Sequence, residues 1–140
     1  MKGLPGLIQL NQWKVDEQRR KVTELEILSE RLSEEVSQLQ ADIEREGRNS
    51  GESVESSTAY SAFLAGAMAQ REKLRGSIAD LQLQISATKD DLADAYRELK
   101  SYEVAQASRD AREHRKQELR ERVKMDEIGI GMHRRKSGAI

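Results

Sequence analysis

Few residues of this 140-residue chain are of the kinds that enzymes use for catalysis or metal binding. His114 and His133 both lie in charged stretches, and the chain contains no cysteine, so no metal-ligand set forms around them. The carboxylates fall at exposed positions of a heptad repeat, which does not favour paired acid–base catalysis. Gly129 and Gly131 lack the strand and helix that flank a phosphate loop, and a helix end explains them. We therefore predict no enzyme activity, no catalytic residue, no metal site and no cofactor.

A set of basic residues near the C-terminus is a candidate binding surface. Its members are Arg109, Arg112, Arg115, Lys116, Arg120, Arg122 and Lys124. Basic helices of leucine-zipper proteins contact DNA phosphates in this manner. Here, acidic residues are interleaved with the basic ones and the net charge is −1, which argues against a nucleic-acid partner. A solvated helix face and a protein-binding face remain the two interpretations.

The element that must carry this set is a long helix with an apolar heptad repeat. The repeat extends without a break from Tyr60 to Tyr102, with Arg71 and Thr88 as its polar members. A 3.5-residue repeat keeps one face of a helix toward a partner helix along its whole length. A similar repeat from Leu4 to Ile43 is interrupted by polar residues in its first half and offers that partner.

The predicted coiled-coil core consists of the apolar residues at these heptad positions. In the first helix they are Val22, Leu25, Leu32, Val36, Leu39 and Ile43. In the second helix they are Leu64, Leu74, Ile78, Leu81, Ile85, Leu92, Leu99 and Tyr102. Polar residues occupy three core positions of the first helix, namely Asn11, Gln18 and Ser29, and predict a weaker start.

The lengths of the two repeats and the helix-breaking residues between them predict how the two helices are joined. We expect helix one over about residues 5–46, a connection over 47–56, helix two over about 57–128, and a basic, disordered tail over 129–140. If the chain folds back at the connection, helix one ends opposite about Leu99–Tyr102, where the repeat of helix two also ends. The expected fold is all-α: one domain over 1–128, a two-helix antiparallel coiled-coil hairpin with a longer, projecting second helix.

Composition limits the other classes of protein. Only 4% of residues are aromatic and 35% are charged, which is typical of a coiled coil rather than a globular core. No apolar run approaches the roughly 20 residues that span a bilayer, so no direct membrane insertion is expected. The absence of cysteine permits a reducing compartment, and we expect a cytoplasmic protein.

Aromatic residues outside the heptad core are candidates for partner contact. Trp13 is the sole tryptophan, and tryptophan is enriched at interfaces. Alternatively, Trp13 packs on helix two near Tyr96 or Tyr102. Phe63 with Tyr60 forms either a second contact patch or a thickening of the coiled-coil core.

Several segments resemble the flagellar FliJ family of export proteins. The opening resembles that of FliJ proteins over residues 1–10 and Trp13–Arg20, and further similarity lies in Tyr60–Met68, Leu99–Glu103 and Met125–Ile128. The resemblance covers nearly the whole chain. The order of these segments and the two ends carry it, because all coiled coils share composition.

The resemblance implies an antiparallel coiled coil similar to the gamma subunit, or central stalk, of rotary ATPases. Its implied partners are the hexameric flagellar export ATPase, the cytoplasmic domain of an export-gate membrane protein, and export chaperones. Its implied location is the cytoplasmic side of the inner membrane, peripheral at the base of the flagellum.

On this mapping, Leu4–Arg20 and Arg97–Lys124 enter the ATPase ring, and the half near the connection, roughly Leu28–Ile43 with Tyr60–Leu74, faces the gate. The hypothetical ring contacts are Trp13, Arg19, Arg20, Arg109, Arg112, Arg115, Lys116, Arg120 and Arg122. The hypothetical gate or chaperone contacts are Leu39, Tyr60, Phe63, Leu64 and Met68.

Two other functions are compatible with the sequence. One is a coiled-coil secretion chaperone, or holdase, that grips clients without affecting an ATPase. The other is a parallel homodimer joined through Tyr60–Tyr102 with a nucleic-acid-binding arm.

Overall fold

The computed structural model describes residues 3–51 and 53–138. Over these ranges the chain forms helix α1 (Leu4–Asn49) and helix α2 (Val54–Gly138), and it contains no strand. The two helices pack against each other, and α2 is the longer, with 85 residues against 46. The predicted all-α, two-helix fold is therefore confirmed.

Residues 13–96 form a compact unit in which the two helices run antiparallel. Side chains link them in pairs whose numbers rise along α2 as they fall along α1: Gln40 with Arg71, Ser29 with Gln82, Glu26 with Lys89, and Arg19 with Tyr96. The repeat of α2 is thus filled by α1 of the same chain within this unit. A parallel homodimer through the same positions would have no open face to use.

The interior of this unit is a single row of heptad residues. Its buried apolar members are Val15, Val22, Ile43, Ala67, Leu74, Leu81 and Ile85. The other predicted core residues between 13 and 96 are half-buried. Complete burial of a Val, Leu or Ile side chain contributes roughly 1.5–3 kcal/mol before the entropy cost of ordering the chain, and the half-buried residues contribute less.

The connection is shorter than the sequence predicts, because α1 continues past Gly47 to Asn49. A Cβ atom at Gly47 would lie 3.0 Å from the Tyr60 hydroxyl, so this glycine permits close approach of the tyrosine rather than ending the helix. Gly51 has a backbone φ of 136°, which residues with a Cβ atom rarely adopt. Glu52 lies outside the described residues.

Helix α2 begins at Val54 instead of near residue 57. The Ser53 hydroxyl accepts a hydrogen bond from the Ser56 backbone N–H at 3.0 Å. That bond satisfies one of the backbone donors left unpaired at a helix start.

A second unit comprises residues 3–12 together with 97–138. Leu4, Asn11 and Leu99 are buried in it. From residue 107 to residue 130 every side chain of α2 is exposed.

The C-terminal segment is helical where the sequence predicts a helix end near 128 and a disordered tail. Helix α2 continues through Gly129 and Gly131 to Gly138. Among the described residues only Gly51 has the positive φ of a glycine C-cap, so neither of the two glycines ends the helix. Arg135 and Lys136 in the last turn interact favourably with the helix dipole. Ala139 and Ile140 lie outside the described residues, and the single domain over 1–128 stays a prediction.

Two leucines on one turn of α2 test this packing. Leu81 is 7% exposed and Leu83 is 72% exposed. We expect Leu81→Ala to lower the free energy of unfolding by about 2–5 kcal/mol, because it leaves a cavity in the coiled-coil core. Leu83→Ala should change it by less than about 0.5 kcal/mol. Urea denaturation followed by circular dichroism at the helix band measures both, and equal losses would contradict the assigned core face.

Candidate protein-contact surfaces

The basic set on α2 lies on a fully exposed stretch of helix. Arg112, Arg115, Lys116, Arg120 and Arg122 are all exposed, and Arg109 is exposed while making an intrachain interaction. Within the second unit, Leu4 at the start of α1 lies beside Ala105, and a shallow groove there is rimmed by basic side chains. The groove is lined by Leu4, Ala105, Arg109, Arg112, Glu113 and Lys116.

Polar side chains one helical turn apart support this stretch. The Gln106 side-chain amide donates a hydrogen bond to the Asp110 carboxylate at 2.8 Å, and His114 Nε2 lies 3.0 Å from Glu118 Oε1. Such pairs each contribute a few tenths of a kcal/mol to an exposed helix. These pairs leave Arg112, Arg115 and Arg120 projecting from the same helix.

The three hypothetical ring contacts on α1 differ from the set on α2, because two of them have partners within the unit of residues 13–96. Arg20 donates a hydrogen bond to Glu17 at 2.8 Å. The Arg19 guanidinium lies 5.4 Å from the centre of the Tyr96 ring, a cation–π contact. Trp13 is 60% exposed, so most of its ring is open to solvent. The Arg19–Tyr96 contact has no signal in the heptad pattern, because both residues lie beside the core positions.

The hypothetical gate contacts separate into two groups. Leu39 and Leu64 are half-buried at heptad core positions, whereas Phe63 and Met68 are exposed. Tyr60 is half-buried and lies against Gly47. Tyr60 and Phe63 line a concave surface next to the connection, together with Glu46, Asn49, Ser50, Ser56 and Ala59. This surface is called here the connection patch, and it presents two aromatic side chains, Tyr60 and Phe63.

Three polar residues in the coiled-coil core bury atoms that have no hydrogen-bond partner, which the heptad repeat alone does not show. Asn11 is 2% exposed, and its side-chain amide donates to the Leu7 carbonyl at 2.7 Å while its Oδ1 has no partner. Gln18 Oε1 and Arg71 Nε are likewise buried without a partner. An unpaired buried polar atom costs about 1–3 kcal/mol. These positions therefore lower the stability of the helix pair.

The described parts of the chain contain neither a metal site nor a membrane span. No His, Cys, Asp or Glu group suited to hold a metal ion occurs in residues 3–51 and 53–138. Within the same ranges, neither helix contains a segment long and apolar enough to cross a membrane.

The buried Asn11 leads to a stability prediction. We expect Asn11→Leu to raise the free energy of unfolding by about 1–3 kcal/mol, because it removes the unpaired buried Oδ1. The matched change Gln12→Leu, at an exposed neighbour, should stay within about 0.5 kcal/mol. Urea denaturation measures both variants. A loss of stability in Asn11→Leu would mean that the amide stabilises its surroundings.

Comparison with known proteins agrees with these features. Searches of curated proteins and of solved structures found no match. A family model described as "Flagellar FliJ protein" matches residues 1–138, which is essentially the whole chain and includes both the opening and the end of α2. FliJ proteins are coiled-coil components of the flagellar type III export apparatus and are not a known enzyme family. The chain therefore belongs to the FliJ family.

Proposed function

We propose that this chain is a stalk of the flagellar export apparatus. It inserts into the hexameric export ATPase, promotes the assembly and activity of that ring, and connects it to the export gate and to export chaperones. It does no chemistry itself and works in the cytoplasm, peripheral to the inner membrane at the base of the flagellum. The observation that carries the proposal is the stretch of α2 from 107 to 130, which is helical and exposed at every residue.

The charge of α2 sets the kind of contact that the ring makes with it. Ten Lys and Arg residues and six Asp and Glu residues lie between Arg109 and Lys136. Exposed ion pairs contribute only about 0–1 kcal/mol each and weaken with salt. Many weak contacts allow a helix to shift between neighbouring subunits of a ring without breaking one strong bond. Arg112, Arg115, Lys116, Arg120 and Arg122 are the residues we propose for this role, together with Arg109.

The three α1 residues of this proposal are not equally available for contact with the ring. Trp13 is exposed and available to a partner. Arg19 and Arg20 would have to give up Tyr96 and Glu17 to reach one. We therefore propose Trp13 as the principal contact of α1 with the ring.

The connection patch is the proposed contact for the gate or a chaperone. Within the patch, Phe63 is exposed and Tyr60 is half-buried, and Met68 is an exposed apolar residue further along α2. Aromatic residues in a concave surface are typical anchors of protein interfaces. The same exposed patch favours the alternative function, a secretion chaperone that holds clients without acting on an ATPase.

Charge reversal tests the ring contact. We expect Arg112→Glu with Arg115→Glu to lower stimulation of the cognate export ATPase several-fold, because two attractive contacts become repulsive. The matched control is Lys73→Glu with Arg75→Glu, two exposed bases of the unit 13–96. ATP hydrolysis is measured with ring and stalk both present, and circular dichroism checks that helicity is unchanged.

A chain ended after Tyr102 is the stronger version of the same experiment. It lacks the exposed stretch of α2 and should not stimulate the ATPase. If neither the full chain nor the charge-reversed variant affects hydrolysis under conditions where the ATPase forms hexamers, the stalk proposal is wrong.

Phe63→Asp tests the connection patch. We expect it to weaken binding of the gate protein's cytoplasmic domain at least tenfold, because a charge would enter an apolar contact. Leu83→Asp, on an apolar residue of the same unit that is more exposed (72% against 38% for Phe63), should leave binding unchanged. Isothermal titration calorimetry measures both. Binding of export clients without binding of the gate domain would favour the holdase alternative.

A further inference from the structure

A fourth buried side-chain atom without a hydrogen-bond partner, Gln106 Oε1, joins those of Asn11, Gln18 and Arg71 in the described parts of the chain. All four residues occupy heptad core positions of α1 or α2. A buried polar atom without a partner costs free energy, and most such atoms in proteins are paired. The present alignment of α1 and α2 therefore leaves the polar core positions poorly matched.

In the unit of residues 13–96, polar core residues lie opposite leucines. Arg71 donates a hydrogen bond to Gln40, the residue that follows a core leucine of α1. Gln82, the residue that follows a core leucine of α2, donates to Ser29. Arg71 and Ser29 thus bond to side chains beside the core and face apolar side chains within it.

The same mismatch occurs in the unit of residues 3–12 with 97–138. Leu4 lies beside Ala105 in the groove described above, so the neighbouring Gln106 lies across from Leu4. One heptad further along both antiparallel helices, Asn11 lies across from Leu99, and both of these residues are buried. Each polar core residue of this unit faces a leucine as well.

A shift of α1 by one heptad toward the C-terminal end of α2 would place polar core residues opposite one another. Most apolar core residues would still meet apolar ones, because the heptad period is kept. Three of the four unpaired atoms would gain a partner, and only Gln18 would again face a leucine. The same shift in the opposite direction brings no two polar core residues together. The pairs formed by the first shift would be Asn11 with Gln106, Ser29 with Thr88, and Arg71 with Glu46, which follows Ile43 in the repeat.

We propose that α1 has a second register on α2, one heptad from the present one, in which these three polar pairs hold it. At 1.5 Å per residue, α1 moves by about 10 Å between the two registers. Polar pairs at core positions select one alignment over its neighbours, so the registers are two discrete states rather than a continuous slide. The proposal does not rest on the ATPase contact.

The start of α2 supplies the length of chain that the shift requires. Residues 54–60 are exposed or half-buried, and three of them are Ser or Thr, which are poor helix formers. The Thr58 hydroxyl donates to the Val54 carbonyl at 2.9 Å, a local bond that competes with the regular helix bonds. Unwinding these residues would lengthen the connection by up to about 3.3 Å each, which exceeds the displacement of α1.

Contacts at both ends of α1 favour the present register. Gly47 lies against Tyr60, and Leu4 is buried. In the second register Gly47 would lie across from Ala67, and Leu4 would lie near Arg112 without its apolar surroundings. These losses oppose the gain of three polar pairs, and a partner that binds at either end would shift the balance. The start of α1 would then cover one more heptad of α2, so a change at the connection alters the surface at the other end.

The absence of cysteine allows disulfide trapping in the full chain. Ser29→Cys is combined with one of three exposed positions that are one heptad apart on α2. Gln82→Cys reports the present register, Lys89→Cys the second register, and Arg75→Cys a shift in the opposite direction. Ser29→Cys removes one polar pair from each register, so it favours neither. The yields are measured by electrophoresis after equilibration in a glutathione redox buffer.

We expect the 29–82 disulfide to be the most abundant and the 29–89 disulfide to form at least tenfold more than the 29–75 disulfide. Two cysteines are bridged only when their Cα atoms come within about 7 Å, so a displacement of about 10 Å separates the three cases. Circular dichroism in the same buffer checks that all variants keep their helicity. Equal yields for 29–89 and 29–75 would mean that the helices merely open and close, and would overturn the proposal.

The polar pairs are tested within the 29–89 variant. Asn11→Leu with Arg71→Leu removes two of the three pairs and should lower the yield of 29–89 relative to 29–82 at least fivefold. The matched control is Gln18→Leu, which also removes an unpaired buried atom but faces a leucine in both registers. It should leave the ratio unchanged. An equal fall in both variants would assign the effect to overall stability and contradict the second register.

Spin labels report the alignment without a cross-link, in case the geometry at position 82 forms no disulfide. The labels are attached through Glu35→Cys and Asp91→Cys, at exposed residues of the unit 13–96. We expect a major distance population and a minor one several Å shorter. Gly47→Leu should enlarge the minor population, because a side chain at this position meets the Tyr60 hydroxyl in the present register. A single distance population, with and without Gly47→Leu, would overturn the proposal.

Discussion

The rest of the structure depends on the burial of one face of α1 against one face of α2. With so few aromatic residues, the chain offers no other apolar surface large enough to stabilise a fold. In the unit of residues 13–96 this burial is a single row of aliphatic side chains, from Val15 to Ile85. Because the row is narrow, most side chains outside it are exposed to solvent, and a few such as Gln40 and Ala93 are half-buried beside it.

Polar residues in that row have a physical consequence beyond weakening it. Arg71 donates to Gln40 at 3.0 Å and Gln82 donates to Ser29 at 3.1 Å, each across the two helices. An apolar row tolerates a shift by one heptad, since leucine meets leucine in either register. A pair such as Gln82 and Ser29 is satisfied in one register only, as polar residues at coiled-coil core positions commonly are. The helix pair thus gives up some stability and gains a defined alignment.

The sequence predicted the helices and the row between them because both follow from the heptad period. It did not predict the ends, because Gly47, Gly129 and Gly131 read as breakers while the structure keeps all three in helices. A glycine in an exposed helix costs only about 1 kcal/mol, which neighbouring turns offset. Exposed residues such as Phe63 and Arg112 do not affect the repeat, so residue type and charge indicated them as contact candidates, and only the family resemblance suggested which partner each would contact. The contact between Arg19 and Tyr96 could not be predicted from the sequence, because both residues lie beside the core positions and follow no period.

The exposed part of α2 changes character along its length, and the change has a mechanical meaning. Around Arg112 and Arg115 the surface is charged and almost without apolar side chains, so a partner gains little from any one position and is easily displaced. Around Gly131 the exposed surface is mixed, with Ile128 and Met132 beside Lys124, Glu127 and Arg135. Apolar contact there would add to the ionic contacts and hold a partner more firmly than ion pairs alone. In the proposed stalk, the charged stretch around Arg112 therefore suits the partner that must be displaced easily.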